Sequence, residues 1–280
     1  MPNMELKLGL TSYAFYWASK KSTQQTSYDV VVNVLEKTSL MGLDVFQICE
    51  NLPLQNWDTN DLKRLGAAAR QQGIILEAGT RGLDEDNLRT YIKVANILGS
   101  HVLRLTPWSG SVTRQVFPID RLFEVIYNLL PLCIEYDVTL ALENYFDISD
   151  QDLASFVQQV NDVHVGICLD TANSVGLLQL PQKTVEVLHP YVVSLHLKDF
   201  IVCKNTMGYA ISGVPLGQGW LNTEEILAVI NQSGRRPNIL LELWMDPAEN
   251  YEATIKKEEM WVQQSVAYAR HSLNIGDDHK

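Results

Sequence analysis

The sequence predicts a single (β/α)₈ barrel that spans residues 1–280. Eight short apolar runs of strand length alternate with longer segments of helical periodicity, and no Pro/Gly/Ser-rich linker divides the chain. Eight is the number of parallel strands that closes such a barrel, and about 250 residues are typical of that fold. A doubly wound open sheet is the alternative, but it predicts a Gly-x-Gly-x-x-Gly turn after an early strand, where the sequence has none.

The predicted strands are rich in β-branched and aliphatic residues, as strands buried on both faces are. They begin at Lys7, Leu43, Ile74, His101, Val138, Val163, Val192 and Asn238. Apolar stripes at helical spacing lie between them, the clearest being Val31, Val34, Leu35 and Thr38, then Leu88, Ile92, Ala95 and Leu98, then Leu122, Val125, Ile126 and Leu129. The spacings Ser149–Asp152 and Asn222–Glu225 predict two helix starts.

Composition and charge argue against several classes of protein. The chain has 33 acidic and 22 basic residues, so its net charge is -11, which is a poor match for a polyphosphate backbone and predicts no nucleic-acid partner. Its four cysteines form no Cys-x-x-Cys pair, and we interpret them as free thiols in a reducing compartment. With neither a signal-peptide pattern nor an apolar run of membrane length, we expect a cytoplasmic protein that does not associate with membranes.

Chemistry in a (β/α)₈ barrel gathers at the carboxyl ends of the strands. Each of the last four predicted strands delivers one ionisable residue there, after aliphatic neighbours: Glu143, Asp170, His196 and Glu242. Three converging carboxylates without a metal would repel one another. Together with one imidazole they are suited to a divalent ion, and Mn²⁺, Mg²⁺, Co²⁺ and Zn²⁺ all remain open. The sequence therefore predicts one divalent-metal site.

Other polar residues are candidates for the same face of the barrel. Lys198 lies two residues beyond the strand-seven histidine, where it either neutralises an oxyanion or pairs with Asp199 or another acid. We expect Arg104 and Glu77 to pair inside the barrel, with Arg104 or Arg81 as an alternative binder of a carboxylate or phosphate.

Two further groups of residues face the predicted barrel mouth. Gln47 and Glu50 end the second strand and are candidates to hydrogen-bond substrate hydroxyls. Trp17, Trp108 and Trp244 are candidates for aromatic walls that would suit the apolar faces of a sugar, although packing alone is the alternative. The segment PLGQG at 215–219 is either a glycine-rich binding turn or a flexible loop that leads into a capped helix.

Five segments carry a resemblance to a known family: LALENY, GICLDTAN, SLHLKDF, PLGQGWLN and LLELW, all within residues 138–244. They resemble the xylose isomerase-like TIM barrels, a group of sugar isomerases, ketose 3-epimerases, inosose dehydratases and endonuclease IV-type enzymes. The resemblance implies that Glu143, Asp170, His196 and Glu242 bind one metal. It also implies that Glu143 and Glu242 exchange the substrate proton, as the corresponding residues do in the ketose epimerases.

The chain departs from the epimerase pattern at two substrate positions. Asn173 stands where several epimerases have a histidine, and Val202 stands where they have an arginine. The identity of the sugar therefore stays open, as does its phosphorylation. We expect Asn173, Lys198, Arg104, Trp108 and Gln47 to bind substrate.

The predicted activity is a metal-dependent isomerase or epimerase that acts on a small carbohydrate through an enediolate. A metal-dependent lyase of the inosose- or dehydroshikimate-dehydratase type is the alternative. An abasic-site endonuclease is disfavoured because only His196 among the histidines is expected at the active face. A non-catalytic sugar-binding barrel would have lost a metal ligand. A homo-oligomer is left open.

Overall fold

A computed structural model describes residues 6–20, 26–107 and 118–276. Its strands are β1 (Leu8–Thr11), β2 (Val45–Ile48), β3 (Ile75–Arg81), β4 (Val102–Thr106), β5 (Thr139–Glu143), β6 (Val165–Asp170), β7 (Val192–Leu197), β8 (Asp199–Lys204), β9 (Tyr209–Val214) and β10 (Asn238–Leu241). Strands β1–β7 and β10 are parallel and close a barrel in which β1 pairs with both β2 and β10. The predicted (β/α)₈ barrel is confirmed.

Helices connect the strands and surround the barrel. They are α1 (Tyr16–Ser19), α2 (Ser27–Leu40), α3 (Thr59–Gln71), α4 (Glu85–Leu98), α5 (Ile119–Tyr136), α6 (Asp150–Val160), α7 (Pro181–Leu188), α8 (Thr223–Gln232) and α9 (Tyr251–His271). Short 3₁₀ segments lie at Ser12–Phe15, Asn173–Leu177 and His189–Tyr191. No helix within the described ranges combines the length and apolarity that crossing a membrane requires.

The sequence signals for the helices act as predicted. The side chains of Ser149 and Asn222 accept hydrogen bonds from the backbone N–H groups of Asp152 and Glu225, so they cap α6 and α8. The three predicted apolar stripes are buried on α2, α4 and α5, where they pack between the helices and the outer face of the barrel.

Strand register decides which side chains meet inside the barrel. Arg104 on β4 pairs in register with Gly79 on β3, so Glu77 lies two residues further toward the amino end of its strand. The predicted pairing of Arg104 with Glu77 is wrong for this reason. Glu77 instead accepts hydrogen bonds from uncharged side chains deep in the barrel, and Arg104 reaches the carboxyl ends of the strands.

An antiparallel hairpin, which we did not predict, interrupts the connection from β7 to α8. Its strands β8 and β9 pair from Asp199 with Val214 to Lys204 with Tyr209. Gly213 on β9 packs against the backbone of Trp244, and a Cβ atom at this glycine would lie 2.0 Å from the Trp244 carbonyl oxygen. The hairpin is therefore held closely against the segment that follows β10.

The PLGQG segment after the hairpin folds around the carboxylate of Asp199. The backbone N–H groups of Gly217, Gly219 and Leu221 donate hydrogen bonds to the two Asp199 oxygens at 2.9–3.1 Å. The backbone N–H groups of this glycine-rich turn thus donate to the Asp199 carboxylate and not to a ligand. This part of the chain is an ordered connection into α8 rather than an open cradle for a ligand.

Candidate active site

Four ionisable side chains converge at the carboxyl end of the barrel. Glu143 and Asp170 are the last residues of β5 and β6, His196 is the penultimate residue of β7, and Glu242 directly follows β10. Each offers one ligand atom, and these atoms all lie within 4.8 Å of one another. The structure thus brings together the four residues predicted to form the metal site, and all four are buried.

Two polar atoms of this cluster, His196 Nδ1 and Glu242 Oε2, have no hydrogen-bond partner among the described residues, and Asp170 Oδ2 is paired with the Lys198 ammonium. The imidazole Nδ1 lies 3.3 Å from the Glu242 oxygen, 3.6 Å from Glu143 Oε1 and 3.8 Å from the Asp170 oxygen. Buried polar atoms normally have partners. A set of carboxylate oxygens and one imidazole nitrogen aimed at a common space could bind a divalent metal ion.

Glu143 is the most heavily engaged carboxylate of the cluster. Its Oε2 accepts from Thr106 Oγ1 at 2.6 Å and lies 2.6 Å from a guanidinium nitrogen of Arg104, while its Oε1 accepts from Asn173 Nδ2 at 3.1 Å. Burial raises the pKa of Glu143, but Arg104, His196 and Lys198 outweigh burial and hold this pKa well below its usual range. Both oxygens of the side chain are therefore engaged by neighbouring groups.

Lys198 joins the other two carboxylates from one side. Its Nζ lies 2.9 Å from Asp170 Oδ2 and 2.6 Å from Glu242 Oε1, and it stands 4.3 Å from the centre of the Trp244 ring. Burial lowers the pKa of Lys198, but Asp170 and Glu242 overcome that effect and raise the pKa above its ordinary value. Of the two alternatives for Lys198, the structure shows pairing with acids other than Asp199, at a position that lines the cavity.

A second group of charged side chains is connected to the cluster through Arg104. Arg104 pairs with Glu50 as well as with Glu143, and Glu50 also pairs with Arg81, whose NH2 group lies 2.6 Å from it. Tyr13 donates a hydrogen bond to Glu50 at 3.0 Å. Burial raises the pKa of Glu50, but Arg104 and Arg81 lower it below the usual value. Glu50 is therefore an ionised link between two arginines rather than a free acceptor for hydroxyl groups.

A cavity of about 580 Å³ opens above the cluster. The predicted substrate-binding residues Asn173, Lys198 and Arg104 line it, and so do Trp17 and Trp244. The hairpin contributes residues 211–213 to one wall. The size of the cavity and its mixture of aromatic walls and charges fit a small polar molecule.

Of the two remaining predicted substrate-binding residues, Gln47 lies within the described part of the chain and does not line the cavity. Gln47 is fully buried below the cavity, where its side chain contacts His196 and Glu77. Trp108 lies outside the described residues, and its role stays a prediction.

Residues of the cavity wall that the sequence analysis missed include Tyr13, Tyr145 and Glu258. Tyr13 and Tyr145 follow β1 and β5, so attention to every strand end would have found them. Glu258 comes from α9 and accepts hydrogen bonds from the backbone N–H groups of Trp17 and Ala18. No local signal marks this contact, because the partners are about 240 residues apart.

Comparisons with known proteins agree with this fold. Residues 35–270 match the family model described as xylose isomerase-like TIM barrel. A relative from Pectobacterium atrosepticum, named 3-oxo-isoapionate decarboxylase, is 30% identical over 265 residues, which cover 94% of each chain.

Solved structures share the fold at low sequence identity. D-psicose 3-epimerase from Clostridium cellulolyticum H10, solved with D-tagatose, has a TM-score of 0.72 at 18% identity and covers 96% of this chain and 99% of its own. A xylose isomerase-like TIM barrel protein from Mycobacterium smegmatis, solved in complex with magnesium, has a TM-score of 0.69 at 15% identity and covers 94% and 97%. The chain described here belongs to the xylose isomerase-like TIM barrel family.

Proposed function

We propose that the protein is a divalent-metal-dependent lyase that decarboxylates a 3-oxo sugar acid. In this reaction the bond between the carboxylate and the adjacent carbon breaks, CO₂ leaves, and a proton is added to that carbon, so a ketose remains. The predicted isomerase or epimerase shares the same ionisable residues but would need a base to remove a proton from carbon. The relative named as a decarboxylase supports the lyase, because the similarity extends over nearly the whole of both chains.

The hydrogen bonds and the ion pair of Glu143 favour the decarboxylase over the epimerase. Three side chains, those of Thr106, Asn173 and Arg104, already hold its two oxygens. Proton exchange by a pair of bases would require this carboxylate to accept a proton from carbon. Decarboxylation places no such demand on Glu143, because the electron pair left by CO₂ needs only a proton donor.

The charge of the site also suits an anionic substrate. The connected ion pairs contain four carboxylates and three cations, namely Glu50, Glu143, Asp170 and Glu242 with Arg81, Arg104 and Lys198. With a neutral imidazole this leaves one net negative charge, and a divalent ion would convert it to one net positive charge. A monoanionic sugar acid would then neutralise the site.

We assign the metal to Glu143, Asp170, His196 and Glu242, whose ligand atoms lie within 4.8 Å of one another and include the unpartnered His196 Nδ1 and Glu242 Oε2. When bound, the metal supplies Lewis-acid polarisation of the substrate carbonyl and favours negative charge on its oxygen. Lys198 holds a proton at Nζ at the cavity wall, and we assign to it the protonation of the carbon that loses CO₂. Solvent then returns a proton to Lys198.

The aromatic wall has a separate role in this proposal. Trp17 and Trp244 line the cavity together with Ile211 of the hairpin. Water stabilises a charged carboxylate much more than neutral CO₂. Exclusion of water by these side chains would therefore destabilise the carboxylate and favour its conversion into CO₂.

The test is an assay of 3-oxo-isoapionate with the Mn²⁺-loaded protein. We expect stoichiometric release of CO₂ and, in D₂O, one deuterium at the carbon that carried the carboxylate. Lys198→Gln should retain metal and lose turnover by about 10²-fold or more, the scale of general acid catalysis. CO₂ release that persists at the wild-type rate in Lys198→Gln would exclude Lys198 as the donor. Absence of CO₂ release by the wild type would exclude the decarboxylase.

Epimerisation of a ketose is the second candidate. Glu143 and Glu242 stand on β5 and after β10, with Asp170 and His196 on the strands between them, so two acids flank the cluster. D-psicose and D-tagatose are the matching test substrates, because solved neighbours are named for or contain these sugars. Inversion at one carbon with solvent deuterium uptake, and no CO₂ from the oxo acid, would establish this function instead.

A further inference from the structure

A buried polar network lies beneath the candidate metal site. Glu77, on β3, is 1% exposed and accepts three hydrogen bonds: from Gln47 Nε2 at 2.8 Å, Ser194 Oγ at 3.0 Å and Asn238 Nδ2 at 2.6 Å. All three partners donate to it. Glu77 therefore acts as an acceptor only, as an ionised carboxylate does.

This arrangement fixes the orientation of the Gln47 amide. Because Nε2 must face the acceptor Glu77, the amide oxygen Oε1 faces the opposite way, where it lies 2.9 Å from His196 Nε2. Cys49 Sγ is a second donor to the same oxygen, at 3.3 Å. An amide oxygen can only accept, so the short contact requires the imidazole proton to be on Nε2.

The consequence appears on the other side of the imidazole ring. With the proton on Nε2, Nδ1 of the neutral ring carries a lone pair, and this atom faces the oxygens of Glu143, Asp170 and Glu242 without a hydrogen-bond partner among the described residues. A lone pair in this place is what a metal ion requires of an imidazole ligand.

We propose that Glu77 and Gln47 are positioning residues that hold His196 in the tautomer with a bare Nδ1, and that they thereby set the metal affinity of the site. Glu77 orients the amide and the amide orients the imidazole. This inference rests on the proposed metal site and adds two residues that touch neither metal nor substrate. It also gives Gln47 a role other than the predicted contact with substrate hydroxyls.

The first variant is Gln47→Met, which keeps a long side chain and removes both hydrogen bonds. Loss of such an outer partner typically weakens metal binding by about 10–100-fold, and we expect this loss in the Mn²⁺ dissociation constant measured by electron paramagnetic resonance. Gln47→Glu should restore affinity, since two adjacent buried carboxyl groups share a proton and reproduce the donor to Glu77 and the acceptor for His196.

The second variant, Glu77→Gln, leaves Gln47 in place and removes only the constraint on its amide. It should also weaken Mn²⁺ binding, although residue 77 lies beyond hydrogen-bond reach of the cluster. Ser194→Ala is the matched control, because it removes one donor to Glu77 but leaves the contact between Gln47 and His196. Its Mn²⁺ affinity should equal that of the wild type, and thermal unfolding of all variants checks that each is folded.

Nitrogen-15 spectra of histidine-labelled, metal-free protein provide the readout independent of activity, because a bound metal would itself fix the proton on Nε2. The wild type should show the His196 ring protonated at Nε2, and Glu77→Gln should show a weakened preference. A neutral wild-type ring that carries its proton on Nδ1, or Mn²⁺ affinities in Gln47→Met and Glu77→Gln equal to wild type, would overturn this inference while leaving the proposed function intact. A wild-type protein that binds no metal would overturn the metal-dependent function itself.

Discussion

Arg104→Met removes a cation that compensates a fully buried carboxylate of the site, that of Glu143. The guanidinium lies between Glu143 and Glu50, with the Arg104 side chain 4% exposed and that of Glu143 fully buried. Methionine preserves much of the length of the side chain but leaves both carboxylates without this partner. Because breaking a buried ion pair leaves an uncompensated charge, we expect the free energy of unfolding to fall by about 3–5 kcal/mol at pH 7 without metal.

The loss of unfolding free energy in Arg104→Met should become smaller as the pH falls. Arg104 depresses the pKa of Glu143 against the effect of burial. A carboxyl group with a depressed pKa in the folded state stabilises that state above its unfolded pKa, and the contribution is lost as the pH falls. The difference between wild type and Arg104→Met should therefore shrink as the pH is lowered below about 4.5, the ordinary value for Glu143.

Urea denaturation in the presence of a chelator measures both effects. Arg81→Met is the matched control, because Arg81 also pairs with Glu50 but its side chain is 41% exposed. Exposed pairs contribute about 0–1 kcal/mol, so the control should be close to wild type. Equal losses in the two variants, or a loss under about 1 kcal/mol for Arg104→Met, would refute the electrostatic account of the site.

Two further variants test the cavity walls. Burial raises the pKa of Glu258 from 4.5 to about 7, so wild-type stability should fall as the pH rises between these values. Glu258→Gln should abolish this fall, which is at most about 3 kcal/mol at 1.36 kcal/mol per pKa unit. Urea denaturation at several pH values measures it, and identical pH profiles of stability for the wild type and Glu258→Gln would contradict the assignment. Gly213→Ala places a Cβ against the Trp244 carbonyl oxygen and should raise KM without changing Mn²⁺ affinity, whereas an unchanged KM would remove the hairpin from the substrate wall.

The barrel and its four convergent residues could be predicted because both depend on local patterns. Each strand is a short apolar run, and strands in a closed parallel barrel end on the same face. An ionisable residue at a strand end, such as Asp170, is therefore placed by the fold without knowledge of its partners. The same logic placed Lys198 beside His196.

The contacts that were missed or wrong depend on register and on long-range packing. The pairing expected between Arg104 and Glu77 is wrong because Arg104 pairs in register with Gly79, which lies two residues beyond Glu77 on its strand. The hairpin carried a signal that we did not use, since two β-rich runs flank Asn205 and Gly208 at its turn. Glu258 reaches the cavity from the last helix, and no spacing in the sequence specifies that contact.

The most direct test of the central claim is the metal content of the protein. After chelation, reconstitution with Mn²⁺ and removal of free ion, elemental analysis should find one metal per chain in the wild type and none in Asp170→Asn. Asparagine keeps an oxygen for the backbone N–H groups of Ala172 and Asn173, which donate to Asp170 Oδ1, and so it removes the charge with little disturbance of the loop. No metal in the wild type, or full occupancy in Asp170→Asn, would contradict the account.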